Sequence, residues 1–285
     1  MTTTAIVVAH DSASVLPACL AALTREGARV VVVDNASRDA SRAFAVRAGA
    51  RVIANPKNQG FGRACNIGAG DATSDFLLFI NPDCVLEPGA LQHLLEAAAI
   101  YPDAVLFAPR TLNADGSMAF GLSASLAPRL AVGPLRPPDG DCCIGGTSGA
   151  AMLIRRAAFA GVGGFDENIF LYAEDDDLNR RLIDAGGSLV HVHAAVATHA
   201  HGQSSPPSRA LDHRKRWHLA WSRCYVARKH GRPSQALGVV ARSARQWLFA
   251  TLAFRRDAAA RHAGALAGAW AFARGRTALQ REGLP

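Results

Sequence analysis

No stretch of this chain is long and apolar enough to cross a bilayer. The longest uncharged segment, Ala185 to Ser208, holds four histidines and three glycines, and the apolar run Trp247–Phe254 is closed off by Arg245 and Arg255. A spanning helix needs about 20 apolar residues. A signal-peptide pattern is also missing, because MTTTAIVVAHDS has a short apolar run with no basic residue ahead of it. A cytosolic chain is therefore expected. The six cysteines show no Cys-x-x-Cys spacing, and adjacent Cys142 and Cys143 do not suggest a disulfide framework, which leaves reduced thiols as the expectation. Nucleotide-cofactor signatures fail as well. Gly60-Phe-Gly62 follows a strand pattern, but Cys65 stands where Gly-x-Gly-x-x-Gly needs its third glycine, and no Gly-x-x-x-x-Gly-Lys-[Ser/Thr] occurs. These absences argue against a dehydrogenase and a P-loop enzyme.

What is present suffices for a sizeable core: 285 residues, 49% of them hydrophobic. The net charge of +8 hides an asymmetry. Residues 1–206 carry 15 Lys and Arg against 20 Asp and Glu, a net −5, whereas residues 207–285 carry 16 against 3, a net +13. A mildly acidic body is joined to a strongly basic tail, and any argument about acidic partners belongs to the tail alone.

The first hundred residues alternate strand and helix signals. Strands are expected at Thr4–Ala9, Arg29–Val33, Arg51–Ala54 and Phe76–Ile80, and helices at Ser14–Glu26, Asp39–Ala48, Gly62–Gly70 and Ala90–Ala99. Uniformly apolar strands separated by helices predict a mostly parallel α/β sheet covered on both faces. Further strands are expected at Ala104–Ala108, Gly149–Arg155 and Ser188–Val192, a helix at Asp175–Ala185, and a Gly-, Pro- and Ser-rich loop region over 112–148. Past Pro206–Pro207 the pattern is helical.

In such sheets the ligand site lies at the carboxyl ends of the strands. Asp34 and the Asn81-Pro82-Asp83 turn both stand there, and a carboxylate just past a buried strand is poorly explained by packing. A third acidic site, Glu174-Asp175-Asp176-Asp177, sits at a helix start. Four consecutive carboxylates repel one another unless solvent, a cation or a reaction relieves them, although the helix dipole also favours them.

The order of motifs carries a resemblance. Val30-Val-Val-Val-Asp34-Asn-Ala-Ser37, Asn58-Gln-Gly-Phe-Gly-Arg-Ala-Cys-Asn66-Ile-Gly68 and Phe79-Ile-Asn81-Pro-Asp83 are followed by Gly163-Gly-Phe-Asp-Glu167, Leu171-Tyr-Ala-Glu174-Asp-Asp-Asp-Leu178 and His199-Ala-His-Gly-Gln-Ser204. This resembles glycosyltransferase family 2 over roughly residues 3–230, and the Asn-Pro-Asp version is most similar to its rhamnosyltransferase-like branch. The resemblance implies a GT-A fold, a catalytic domain over 1–206 and a helical extension over 207–285. It also implies inverting transfer of a sugar from a nucleotide-diphosphate donor to an acceptor hydroxyl with a divalent cation, Mn²⁺ or Mg²⁺. The donor it suggests is dTDP-rhamnose, with a UDP- or GDP-sugar, or a non-catalytic binding member of the fold, as the alternatives.

Carried over residue by residue, the resemblance puts His10, Asp34, Asn58, Gly60, Arg63, Asn66 and Asn81 on the donor side. Asp83 and His199 become cation ligands, with His201 a near competitor. Asp175 is the expected general base, with Glu174 orienting or sharing that role and Asp177 holding acceptor hydroxyls or the helix start. Asp34 could instead cap the next turn, Arg63 could be a solvated surface residue, and Asp166 could bind a sugar or only shape its turn.

The tail shows apolar stripes flanked by arginine: Trp217, Trp221, Cys224 and Tyr225, then Trp247, Leu248, Thr251 and Leu252, then Leu266, Trp270 and Ala273. Basic helices with tryptophan read as membrane-surface elements, and packing on the catalytic domain or a homodimer is the other reading. No nucleic-acid motif is present, so no nucleic-acid partner is expected. The expected partners are a nucleotide-sugar donor, a glycan or lipid-linked sugar acceptor and the inner face of the cell membrane.

Overall fold

The computed structural model describes residues 1–118, 138–200 and 208–281. Most of the loop region expected over 112–148 lies outside them, as do His201, Ser204 and the 206/207 boundary. The chain forms two compact units that do not follow its order. The first comprises Met1–Gln59, Arg63–Phe165 and Asp175–Ser205, and the second Gly60–Gly62, Asp166–Glu174 and Pro206–Pro285.

Within the first unit, β-branched and aromatic runs form the centre of a sheet. Strands β1 (Thr3–Ala9) and β4 (Phe76–Ile80) are buried along their whole length, and β2 (Arg29–Asp34) and β3 (Arg51–Ala54) complete the N-terminal half. Among themselves these four pair in parallel, with Ala9 opposite Asp34, Asp34 opposite Ala54 and Val7 opposite Ile80. Their carboxyl ends therefore line one edge. Helices α1 (Leu16–Arg25), α2 (Ser41–Arg47) and α3 (Phe61–Ala69) make the crossovers. In α1, Leu16, Cys19, Leu20 and Leu23 recur at helical spacing and are buried against the sheet.

Beyond β4 the sheet is mixed. Strands β5 (Cys84–Leu86), β6 (Ala104–Asn113), β7 (Cys142–Cys143), β8 (Ala151–Arg155) and β9 (Ser188–His199) follow, with helices α4 (Ala90–Ile100), α5 (Arg156–Gly161) and α6 (Glu174–Asp184). The order is β3-β2-β1-β4-β8-β6-β9-β5, with β7 on β9. Strand β8 runs antiparallel to β4, with Ala151 opposite Ile80, so the start of β8 meets the end of β4. Strand β9 runs antiparallel to β5, and His199 falls opposite Cys84. Sequence periodicity ends β9 near Val192, whereas the strand continues to His199. Its register against β6 jumps between Pro109 and Arg110, from Val192 to Val196, and this irregularity hides the continuation.

The second unit is built on α7 (Arg209–Lys229), α8 (Pro233–Leu252) and α9 (Arg256–Ala273). Ser208 caps α7 by accepting from Leu211 N, and Trp217, Trp221 and Cys224 are buried inside the unit, so this first stripe packs within the helical layer and is not a membrane-facing one.

Candidate active site

At the carboxyl ends of β1, β2 and β3 the loops are zipped by side-chain bonds to main chain. Asp34, 5% exposed, accepts from Ser37 N at 3.1 Å, so it does shape its turn. The centre of the network is Asn35, 2% exposed, to which the motifs assign no role. Its Nδ2 donates to Asn58 Oδ1 at 2.8 Å, and its Oδ1 accepts from Asn55 Nδ2 at 3.1 Å and Gln59 N at 2.8 Å. Its carbonyl meets His10 Nδ1 at 3.0 Å, and since a carbonyl only accepts, the proton sits on that nitrogen. His10, Asp34 and Asn58 thus share one rigid rim. The signal for Asn35 was an amide directly after a buried strand, a place where a buried polar group must be fully bonded. Arg63 reaches Gln59 Oε1 at 3.4 Å, at the edge of this rim.

The Asn81-Pro82-Asp83 turn is held from two sides. Asn81 N donates to Ala150 O at 2.9 Å, and Cys84 N to Asn81 O at 3.0 Å. Beneath it Cys19, whose thiol is pushed up to about 12 by burial and by the charge of Asp83, also points to the Asn81 carbonyl. Asp83 and His199 are both buried, with Oδ1 and Nε2 3.1 Å apart, brought together across 116 residues by the β5–β9 ladder. A carboxylate oxygen and an imidazole nitrogen at this separation suit a divalent cation that fills its other positions from diphosphate and water. Among the described residues no third His, Cys, Asp or Glu completes a protein-only cage. The donor set fits a cation that arrives with its substrate.

Asp175 lies one peptide away from this turn. Its Oδ2 accepts from Gly149 N at 2.9 Å, and the neighbouring Ala150 holds Asn81. Its Oδ1 accepts from Asp176 N at 2.9 Å. Burial pushes its carboxyl above the ordinary aspartate range, and these two donors only partly offset that. A partly buried carboxylate with raised proton affinity is suited to general-base work.

Asp177 has a different environment. It is fully buried and bonded to Arg181 Nε at 2.8 Å, while Arg181 Nη1 donates to Val162 O at 2.7 Å. The expectation that it holds acceptor hydroxyls gives way to this ion pair, since a carboxylate with no exposed surface has none to offer a substrate. Glu174, the first residue of α6, and Gly60 both belong to the second compact unit, where Phe61 N donates to Phe170 O at 3.0 Å.

Asn66, expected on the donor side, bonds to main chain. Its Nδ2 donates to Phe165 O and its Oδ1 accepts from Phe165 N, both at 2.9 Å. This amide clasps the turn at Gly163-Gly164-Phe165, where Gly164 has φ +71° and a Cβ would lie 2.7 Å from Asn66 Oδ1. Only glycine fits there. Asn66→Ala strands two main-chain groups at once, so we expect a loss of about 2–4 kcal/mol in urea unfolding. Asp166, in the second unit, is likewise committed. Burial would raise its pKa, but Lys229 Nζ at 2.6 Å and the donors of Asn168 hold it at about 2.

A rim of amides and a carboxylate, a buried Asp–His pair and a further carboxylate one peptide on thus lie together at the ligand edge of the sheet. The sequence profile of Glycosyl transferase family 2 matches residues 4–160. Over 229 residues the chain is 33% identical to the N-acetylglucosaminyl-diphospho-decaprenol L-rhamnosyltransferase of Mycobacterium tuberculosis, covering 68% of this chain and 74% of that one. It is 29% identical over 197 residues to the rhamnosyltransferase WbbL of Escherichia coli, covering 60% and 71%. The solved mannosyltransferase PcManGT from Pyrobaculum calidifontis, in complex with GDP-Man and Mn²⁺, superposes with a TM-score of 0.60 at 15% identity, over 95% of this chain and 86% of that one. The chain belongs to glycosyl transferase family 2, in its rhamnosyltransferase-like part.

Proposed function

We propose that this enzyme moves rhamnose from dTDP-rhamnose, with inversion, to a hydroxyl of a lipid-diphosphate-linked glycan at the inner face of the cell membrane. The reading of the site rests on one observation: Asp175 is bonded to Gly149, next to the peptide that holds Asn81, two residues before Asp83. The names of the two curated relatives support the donor sugar, and that of the mycobacterial one a lipid diphosphate acceptor.

The acceptor hydroxyl attacks the anomeric carbon while Asp175 takes its proton. The bond from that carbon to the phosphate oxygen breaks, and its electron pair leaves with the nucleoside diphosphate. Asp83 and His199 would hold a divalent cation, which would supply charge neutralisation on that diphosphate. The rim of His10, Asp34, Asn35 and Asn58 positions the nucleotide, with Arg63 at its phosphate end. Asn81, an amide where a carboxylate would bind a cation more strongly, serves as a sugar contact.

A thermal-shift panel of dTDP-rhamnose, UDP- and GDP-sugars, each with and without Mn²⁺, tests this. At about 100 times Kd a ligand stabilises by roughly 2.7 kcal/mol. We expect a shift with dTDP-rhamnose alone, and one that needs Mn²⁺. In His199→Ala the Mn²⁺ requirement should rise at least roughly tenfold. A shift by another sugar nucleotide but not by dTDP-rhamnose overturns the donor assignment.

A further inference from the structure

Helix α8 is amphipathic the wrong way round for a helix that only packs on its neighbours. The side it turns inward is small: Ser243 and Ala250 are buried, and Val239 and Val240 pack against Ala220, Cys224 and Ala269. The large apolar residues face out. Leu248, Phe249 and Leu252 are 52%, 73% and 69% exposed, and at helical spacing they share one face with Arg242 and Arg245, which are also exposed.

This face continues into the turn between α8 and α9. Phe254 is 90% exposed and holds φ +54°, a left-handed conformation that usually falls to glycine or asparagine at a helix end. Phe254 N donates to Thr251 O and Arg255 N to Ala250 O, so the turn is tightly formed and the ring is presented from it. Exposed Arg255 and Arg256 follow at once. The neighbouring acid, Asp257, is paired with Arg209. Apolar tip and cationic collar are thus adjacent.

The tail as a whole is +13. A second copy docking on this face would bring the same arginines against one another, whereas an anionic lipid surface complements them and takes up the aromatic side chains. No described helix is long and apolar enough to cross a membrane, so the element lies on the surface. We propose that Leu248, Phe249, Leu252 and Phe254 form an insertion tip that docks the helical unit on anionic phospholipid, with Arg242, Arg245, Arg255 and Arg256 on the headgroups. This rests on the membrane-face reading above and gives it a particular contact surface.

The test is flotation of the full chain with phosphatidylcholine vesicles and with mixed phosphatidylcholine–phosphatidylglycerol vesicles, at low and high salt. The parent chain should float with the anionic vesicles only, and less at high salt. Phe249→Ser with Phe254→Ser should weaken partitioning by about a hundredfold, since each ring contributes roughly tenfold or more on burial, while the melting temperature stays unchanged because both rings are exposed. Arg255→Gln with Arg256→Gln should cost about fivefold per charge and reduce the preference for anionic lipid. If the parent chain floats and the double serine variant floats equally well, the tip is wrong and membrane docking lies elsewhere. If the parent chain floats with neither vesicle, both the tip and the membrane-face reading fall. A concentration-dependent dimer that the serine variant abolishes, without vesicle binding, makes this face a self-interface and overturns the proposal.

Discussion

Asp175→Asn should lower transfer by about 10²–10⁴-fold, the usual contribution of a positioned general base, while nucleotide-sugar binding measured by thermal shift stays within about twofold. The amide keeps an oxygen for Gly149 N, so the bond that places the side chain survives, while its NH2 replaces the oxygen that accepts from Asp176 N and the proton acceptor is lost. The pH dependence follows from the same environment. The base works ionised, and burial raises its pKa, so the acidic limb of kcat/KM should lie above the ordinary aspartate value of about 3.9. The stability effect has the opposite sign to the catalytic one. A carboxyl whose folded pKa is raised contributes most to stability when protonated, below its unfolded pKa, and that contribution is lost as pH rises through the folded pKa. At neutral pH the native carboxylate therefore costs stability, and its removal should offset the lost bond to Asp176 N, so the asparagine variant should melt no lower than the parent. Near-normal turnover in Asp175→Asn would remove this residue from the mechanism. A lower melting temperature would show that its charge is better accommodated than its burial implies.

The parallel half of the sheet was legible because β1, β2 and β4 are unbroken apolar runs, a pattern that only a strand covered on both faces needs. The same logic located Asp34 and Asp83 at the ligand edge. What could not be read was how residues far apart in sequence come together. Asp83 and His199 meet only because β5 and β9 run antiparallel, and the register jump at Pro109–Arg110 disguises the last part of β9. Asp175 reaches the Asn81 turn through the main chain of Gly149 and Ala150, and backbone groups leave no trace in a motif. Asn66 illustrates the converse. An amide on a glycine-containing helix beside the ligand edge invites a ligand, yet its atoms clasp the main chain of Phe165, 99 residues later. Side-chain type narrows the chemistry, and pairing across the sheet decides which partner receives it.

Opposite signs are expected for one substitution made at two helical glycines. Gly268→Ala should destabilise the chain by about 1–3 kcal/mol, whereas Gly238→Ala should stabilise it by about 0.5–1 kcal/mol. Propensity alone favours alanine at both sites, by up to roughly 1 kcal/mol. The surroundings separate them. On α9, Gly264 and Gly268 lie one turn apart and face His213 and Trp217, one turn apart on α7. A Cβ at either glycine would sit inside van der Waals contact with the opposing main-chain carbonyl. That oxygen belongs to helix backbone and cannot swing aside as a side-chain tip would, so the two helices must separate. Separation loosens the layer around Trp217, Trp221 and Ala271, and around Ala220, Cys224 and Ala269. Close packing forfeits dispersion energy steeply with even a small gap, which outweighs the propensity gain. At Gly238 on α8 an added Cβ would meet nothing within 4 Å, so only the helix gains. Urea unfolding of the two variants decides the matter. A stabilised Gly268→Ala would mean that α7 and α9 do not approach as closely as their backbones indicate.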